Sequence, residues 1–160
     1  MRHSSAFSAA KRMSIFHKLE LFHNFYQHEL ERIADNAEFF IAEPGEVIIE
    51  LGAHDTCFYL LLSGRASVRL QKDGEPVMLV GPGQMVGEMG FVLSTERTSW
   101  VLAEDLCILL RVDQALMKQL DCGEREKLKD QIIIKLATSI QQLNAKLGAQ
   151  HYDLGQSDPG

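Results

Sequence analysis

Between Cys57 and Val80 the chain reads C-F-Y-L-L-L-S-G-R-A-S-V-R-L-Q-K-D-G-E-P-V-M-L-V. Cys57 to Leu62 is a continuous apolar run within a strand pattern. After Ser63-Gly64 the segment Arg65 to Leu70 alternates strictly, with Ala66, Val68 and Leu70 on one face, as a half-buried strand requires. Asp73-Gly74 is a strong two-residue hairpin signal, and Val77 to Val80 supplies the returning strand. Upstream, Pro44-Gly45 opens onto Val47-Ile48-Ile49; downstream, Ser99 to Ala103 and Cys107 to Val112 add two more strands. Short strands with glycine-bearing turns every 8 to 12 residues predict an antiparallel roll, sandwich or jelly roll over residues 43–112.

Helical spacing flanks this block. From Ile15 to Ala37 the apolar residues Phe22, Phe25, Leu30, Ile33, Ala34 and Ala37 recur on one face, and Asn24 with Gln27 offers a capping box. After the strands, Asp113 can cap a short helix to Leu120, and Asp121 with Glu124 can start a longer one. That helix carries Leu128, Ile132, Leu136, Ile140, Leu143 and Leu147, widened by Ile133, Ile134 and Ala137. So broad an apolar arc predicts two contact surfaces. One is its own domain; the other is a twin helix in a homodimer through residues 124–147, unless the helix simply lies buried across the roll. The fold class expected is mainly β with flanking helices. A loose start (1–13) precedes one domain (14–147: helices 14–42, roll 43–112, helices 113–147), and a loose tail covers 148–160.

Length and charge agree with one binding domain. The 160 residues leave no room for a second folded unit, and 46% hydrophobic content supports an ordinary core. With 16 Lys and Arg against 22 Asp and Glu, the net charge of −6 disfavours a nucleic-acid partner. No apolar run reaches the roughly 20 residues of a membrane span, and the first residues lack a signal-peptide core. Cys57, Cys107 and Cys122 are an odd number without C-x-x-C spacing, and read as reduced, packed thiols of a cytoplasmic protein.

The chemistry concentrates in Gly81-Pro82-Gly83-Gln84-Met85-Val86-Gly87-Glu88-Met89-Gly90-Phe91 and in Glu96-Arg97-Thr98-Ser99-Trp100. The glycines let backbone N–H groups approach a small anion closely. Arg97 offers a planar fork of donors that matches phosphate oxygens and keeps its charge. A pocket for a bare anion would not include Glu88, whose carboxylate repels it. A pocket for an anion that also carries a hydroxyl would, because ionised Glu only accepts. Phosphate together with hydroxyl describes a ribose phosphate, and a single arginine suits a single charge. The alternative is a structural ion pair between Glu88 and Arg97.

At these residues the sequence resembles the phosphate-binding cassette of cyclic nucleotide-binding domains, roughly G-E-[LM]-[AG]-[LF], a short loop, then R-[ASTQ]-x-[STW]. Gly87, Glu88, Met89, Gly90 and Phe91 match, as do Arg97, Thr98 and Trp100. The resemblance extends through Leu21-Phe22, Glu29 to Ala34, Pro44 to Ile48 and the frame from Gly52 through Tyr59 to Gly64, and the R-T-x-W ending is similar to catabolite-activator-type sensors. It implies that Glu88 accepts from the ribose 2′-hydroxyl and that Arg97 grips the exocyclic phosphate oxygens. Backbone N–H groups around Met89, Gly90 and Phe91 would donate to the phosphate. Thr98 would supply a hydroxyl to phosphate or to guanine, and Asn144 would meet the base. The ligand implied is a cyclic purine nucleotide, cAMP ahead of cGMP. Tyr26 stands where many relatives carry a capping Ser, and Ser99 replaces a common Ala.

Catalysis is not expected. The histidines at 3, 17, 23, 28, 54 and 151 form no H-E-x-x-H, and only His54 lies in the strand region, against a metal-dependent β-roll enzyme. Gly81-Pro82-Gly83 is no dinucleotide loop, because Gly87 falls one residue too far along for G-x-G-x-x-G. Three functional classes remain: a ligand sensor regulating a protein partner, the sensor half of a transcription regulator without its DNA-reading domain, and a nucleotide-independent interaction module.

Overall fold

The computed structural model describes residues 1–156. It begins with a short strand β1 (Arg2–His3), helix α1 (Ala9–His17), a 3₁₀ turn (Glu20–Phe22) and helix α2 (Gln27–Asn36). Strands β2 (Glu38–Ala42), β3 (Val47–Ile49), β4 (Cys57–Ser63), β5 (Ala66–Arg69), β6 (Met78–Val80) and β7 (Met85–Val86) lead into helix α3 (Glu88–Leu93). Strands β8 (Trp100–Ala103) and β9 (Cys107–Asp113) then precede helices α4 (Gln114–Gln119) and α5 (Cys122–Gln156).

Among the described residues the strands form two sheets, ordered β1-β2-β9-β4-β7 and β3-β8-β5-β6, with antiparallel pairing throughout. Their facing sides close on Ile48, Ile49, Cys57, Tyr59, Leu61, Val80, Val86, Val101 and Leu109. Every second residue of β4 points into this layer, while Phe58, Leu60 and Leu62 are buried on the other face. The unbroken apolar run of β4 follows from this two-sided burial. The fold is the expected antiparallel β-roll with flanking helices.

Several boundaries differ from the sequence reading. The first 13 residues are not a loose lead: β1 pairs with Phe40 and Ile41 of β2, the Met1 ammonium lies 3.0 Å from Glu46 Oε1, and Ser8 caps α1. Glu38–Ala42 is a strand, although the residue pattern placed it with the helices. Helix α2 starts after Tyr26, with Glu29 Oε2 accepting from the Tyr26 N–H at 3.2 Å, so the Asn24–Gln27 box does not form. Asp113 caps α4 as expected, accepting from the Leu116 N–H at 2.9 Å. Helix α5 continues through Gly148 to Gln156, where a loose tail was expected; residues 157–160 lie outside the described residues. A helical Gly costs about 1 kcal/mol, and good helix formers on both sides (Ala145, Lys146, Leu147, Ala149, Gln150) carry the helix across it. Cys57 and Cys107 are buried, but Cys122 is exposed rather than packed.

The chain divides into two compact units, Met1–Arg125 and the segment from Glu126 onward. The second is the body of α5, with Ile133, Ile134, Ile140, Leu143 and Leu147 each more than half exposed. Among the described residues no helix is long and apolar enough to cross a membrane.

Candidate functional site

Helix α3 is set by its two ends. Gly87 stands at its N-cap with φ of 83°, and Ser94 at its C-cap with φ of 53°, both left-handed. The first is a conformation glycine adopts without steric cost. Phe91 anchors α3 on the roll, its ring edge-on to Phe58 of β4 with centroids 5.1 Å apart. The segment after Ser94 then runs without regular secondary structure to β8.

Arg97 lies in that return and is fixed at both backbone and side chain. Its N–H donates to Ala53 O at 2.9 Å, and its carbonyl accepts from the Gly52 N–H at 2.8 Å. The side chain turns inward and is buried to 4% exposure. Nε donates to Asp55 Oδ1 at 2.6 Å, Nη1 donates to Gly87 O at 2.6 Å, and Nη2 donates to Cys57 O. Cys57 Sγ lies 3.6 Å from Nη2. The ion pair sits at the edge of the interior: the Arg97 side chain is 2% exposed, that of Asp55 43%.

The glycines are explained by this guanidinium. A Cβ on Gly90 would fall 2.6 Å from Arg97 Nη1, and one on Gly87 would fall 2.7 Å from Nη1 and 2.8 Å from Ile49 Cδ1. The α3 backbone is therefore bare where the arginine head rests. Glu88 follows directly on the Gly87 carbonyl that Arg97 holds, and it is buried to 8% exposure.

The structure thus brings Gly87, Glu88, Gly90 and Arg97 to one turn. Met89 and Thr98 border it as exposed residues. Of the N–H groups implied as phosphate donors, that of Phe91 is spent within α3, on Gly87 O at 3.2 Å. Trp100 is partly buried, with Lys72 Nζ 5.5 Å from its ring centroid. Asn144 is exposed on α5, in the second unit. The sequence reading missed Asp55 and the Cys57 carbonyl as partners of Arg97. Nothing in the local pattern singles out Asp55, one residue of a polar turn before β4. A further contact links the same two loops from outside, with His54 Nε2 3.6 Å from Glu96 Oε1.

Residues 40–121 match the family model of the cyclic nucleotide-binding domain. The chain is 35% identical over 89 residues to the acetyltransferase Pat of Mycolicibacterium smegmatis, covering 54% of this chain and 27% of that protein. It thus spans about a quarter of that relative's length. Among solved structures, PKAR CBD2 with bound Sp-2Cl-cAMPS superposes with a TM-score of 0.67 at 21% identity, covering 89% of this chain and 95% of the other. The regulatory subunit of a cAMP-independent protein kinase A from Trypanosoma brucei superposes with a TM-score of 0.65 at 20% identity, covering 90% of this chain and 51% of the other. Such likenesses show a shared fold across a neighbour named for a bound cAMP analogue and one named cAMP-independent, so the ligand must be argued from the site. With the family model spanning residues 40–121, just over half of its length, this chain belongs to the cyclic nucleotide-binding domain family.

Proposed function

We propose that this chain binds one cyclic purine nucleotide, cAMP in preference to cGMP, and reports its occupancy through α5. The observation that carries this reading is the seat of Arg97: a permanently charged fork, buried, beside a helix turn kept bare by Gly87 and Gly90. A cation held there has its use in meeting an anion, and the closed phosphodiester of a cyclic nucleotide carries a single charge. Glu88, buried at the start of α3, is the acceptor for the ribose 2′-hydroxyl. Backbone N–H groups of Met89 and Gly90, in the first turn of α3, precede any intrahelical acceptor and are the backbone donors for phosphate. Thr98 adds a hydroxyl at the rim.

The mechanism is binding, not catalysis. A ligand that interacts differently with two arrangements of the cassette shifts their populations, and α5 is the element that passes the shift on. Its exposed apolar row suits a twin helix, giving a homodimer through residues 124–147 whose geometry responds to the ligand. A regulated protein partner would read that change.

A second reading, a nucleotide-independent interaction module, draws on the same arginine. Three of its five N–H bonds already go to protein oxygens, as in a structural ion pair. Native mass spectrometry separates the two. Incubated with equimolar cAMP, cGMP and 5′-AMP, the protein is expected to carry one cAMP per chain. No adduct, or 5′-AMP taken up equally, contradicts the sensor reading.

A further inference from the structure

Gly90 has no need of glycine on backbone grounds, since its φ is not among the positive ones. What it provides is space. The atoms nearest its absent Cβ are all Arg97's: Nη1 at 2.6 Å, Cζ at 3.3 Å and Cδ at 3.4 Å. Gly87 differs, because a side chain there would also meet Ile49 Cδ1 and force a left-handed φ.

The seat that Gly90 opens is costly for a ligand to use. The single N–H of Nε goes to Asp55, and Nη2 gives an N–H to the Cys57 carbonyl. Nη1 is engaged by Gly87 O. Three of the five N–H groups are thus engaged by protein oxygens, and a phosphate that draws the arginine head out of this seat must compete with these contacts.

We propose that Gly90 is a positioning residue that sets the affinity: by admitting the Arg97 head, it stabilises a retracted seat that competes with the phosphate. This inference rests on the reading of Arg97 as the phosphate-binding group. Gly90→Ala tests it without changing any charge. Asp55→Asn does not serve, because removing a carboxylate favours an anion whatever the seat. A Cβ at residue 90 meets Arg97 side-chain atoms alone within its three nearest contacts, Nη1 closest, so it is the arginine head that must shift.

The expected result is a Kd for cAMP about tenfold lower in Gly90→Ala, the effect of weakening one competing charge-assisted hydrogen bond. Equal or weaker affinity overturns the inference. Binding by neither protein overturns the nucleotide reading and the inference with it, whereas equal binding by both sinks the inference alone. A second measurement needs no variant. In the wild-type protein the ¹H–¹⁵N signal of Arg97 Nε should be protected from exchange without nucleotide and shift on adding cAMP. Exchange as fast as for an exposed arginine, or a signal unmoved at saturation, contradicts the seat.

Discussion

Arg97 Nε donates to Asp55 Oδ1 at 2.6 Å across 42 residues of sequence, tying the turn before β4 to the segment that follows α3. Two backbone hydrogen bonds, Gly52 N–H to Arg97 O and Arg97 N–H to Ala53 O, hold the same two segments together. The cassette is therefore not an isolated loop. What moves Arg97 also pulls on the mouth of β4.

Replacing Arg97 by Ala removes the cation and leaves the Gly87 and Cys57 carbonyls and Asp55 without this donor. Binding of cAMP is expected to weaken by at least about a hundredfold, since a charge-assisted contact contributes roughly 1.5–3 kcal/mol and the stranded phosphate costs more. Equilibrium titration of a folded variant checks this; wild-type affinity would remove Arg97 from the site.

Gly87→Ala should act on stability first. Its φ of 83° strains any side chain, and the new Cβ meets both Arg97 Nη1 and Ile49 Cδ1. A loss of about 1–3 kcal/mol is expected, read as a lower midpoint in urea. An unchanged midpoint would mean that α3 does not start as described.

The pH dependence of stability has one traceable source in Glu104. Hydrogen bonds from the Ser67 hydroxyl, and next from Arg69, hold its carboxyl below the ordinary glutamate range. Arg69 Nη2 lies 2.6 Å from Glu104 Oε1. The depressed folded value means the contribution is full above the unfolded value of about 4.3 and is lost as pH falls through the lower folded value. Glu104→Gln should therefore melt below wild type at neutral pH, and the gap should narrow as pH drops below about 4.3. A gap that stays constant with pH would contradict this assignment.

The strands were legible in the sequence because their signals are local: the alternation of β5, and Asp73-Gly74 within the longer connection from Arg69 to Met78. Glu38–Ala42 was not, because no turn residue separates it from the helical run ending at Ala37. Its strand character comes from pairing with β9, from Glu38 opposite Arg111 to Ala42 opposite Cys107. Likewise β1 exists through β2. Asp55 escaped notice for the same physical reason: its role depends on a partner 42 residues away. The glycine of the cassette could be read as room for a ligand from sequence, but only the structure reveals that Gly90 also makes room for Arg97 itself.

The apolar row on α5 gives a separable prediction. Ile140 and Leu143 are 59% and 57% exposed, so replacing both with Asp should leave the fold intact. If this row meets a twin helix, light scattering should report two-chain mass for wild type and one-chain mass for the variant. Equal mass for both would place any self-association elsewhere.

Calorimetric titration of the wild-type chain with cAMP tests the central claim most directly. The account predicts saturable heat with one site per chain, lost on Arg97→Ala. Heats of dilution alone from a folded, wild-type protein would contradict it, and would leave Arg97 as a structural ion-pair partner of Asp55.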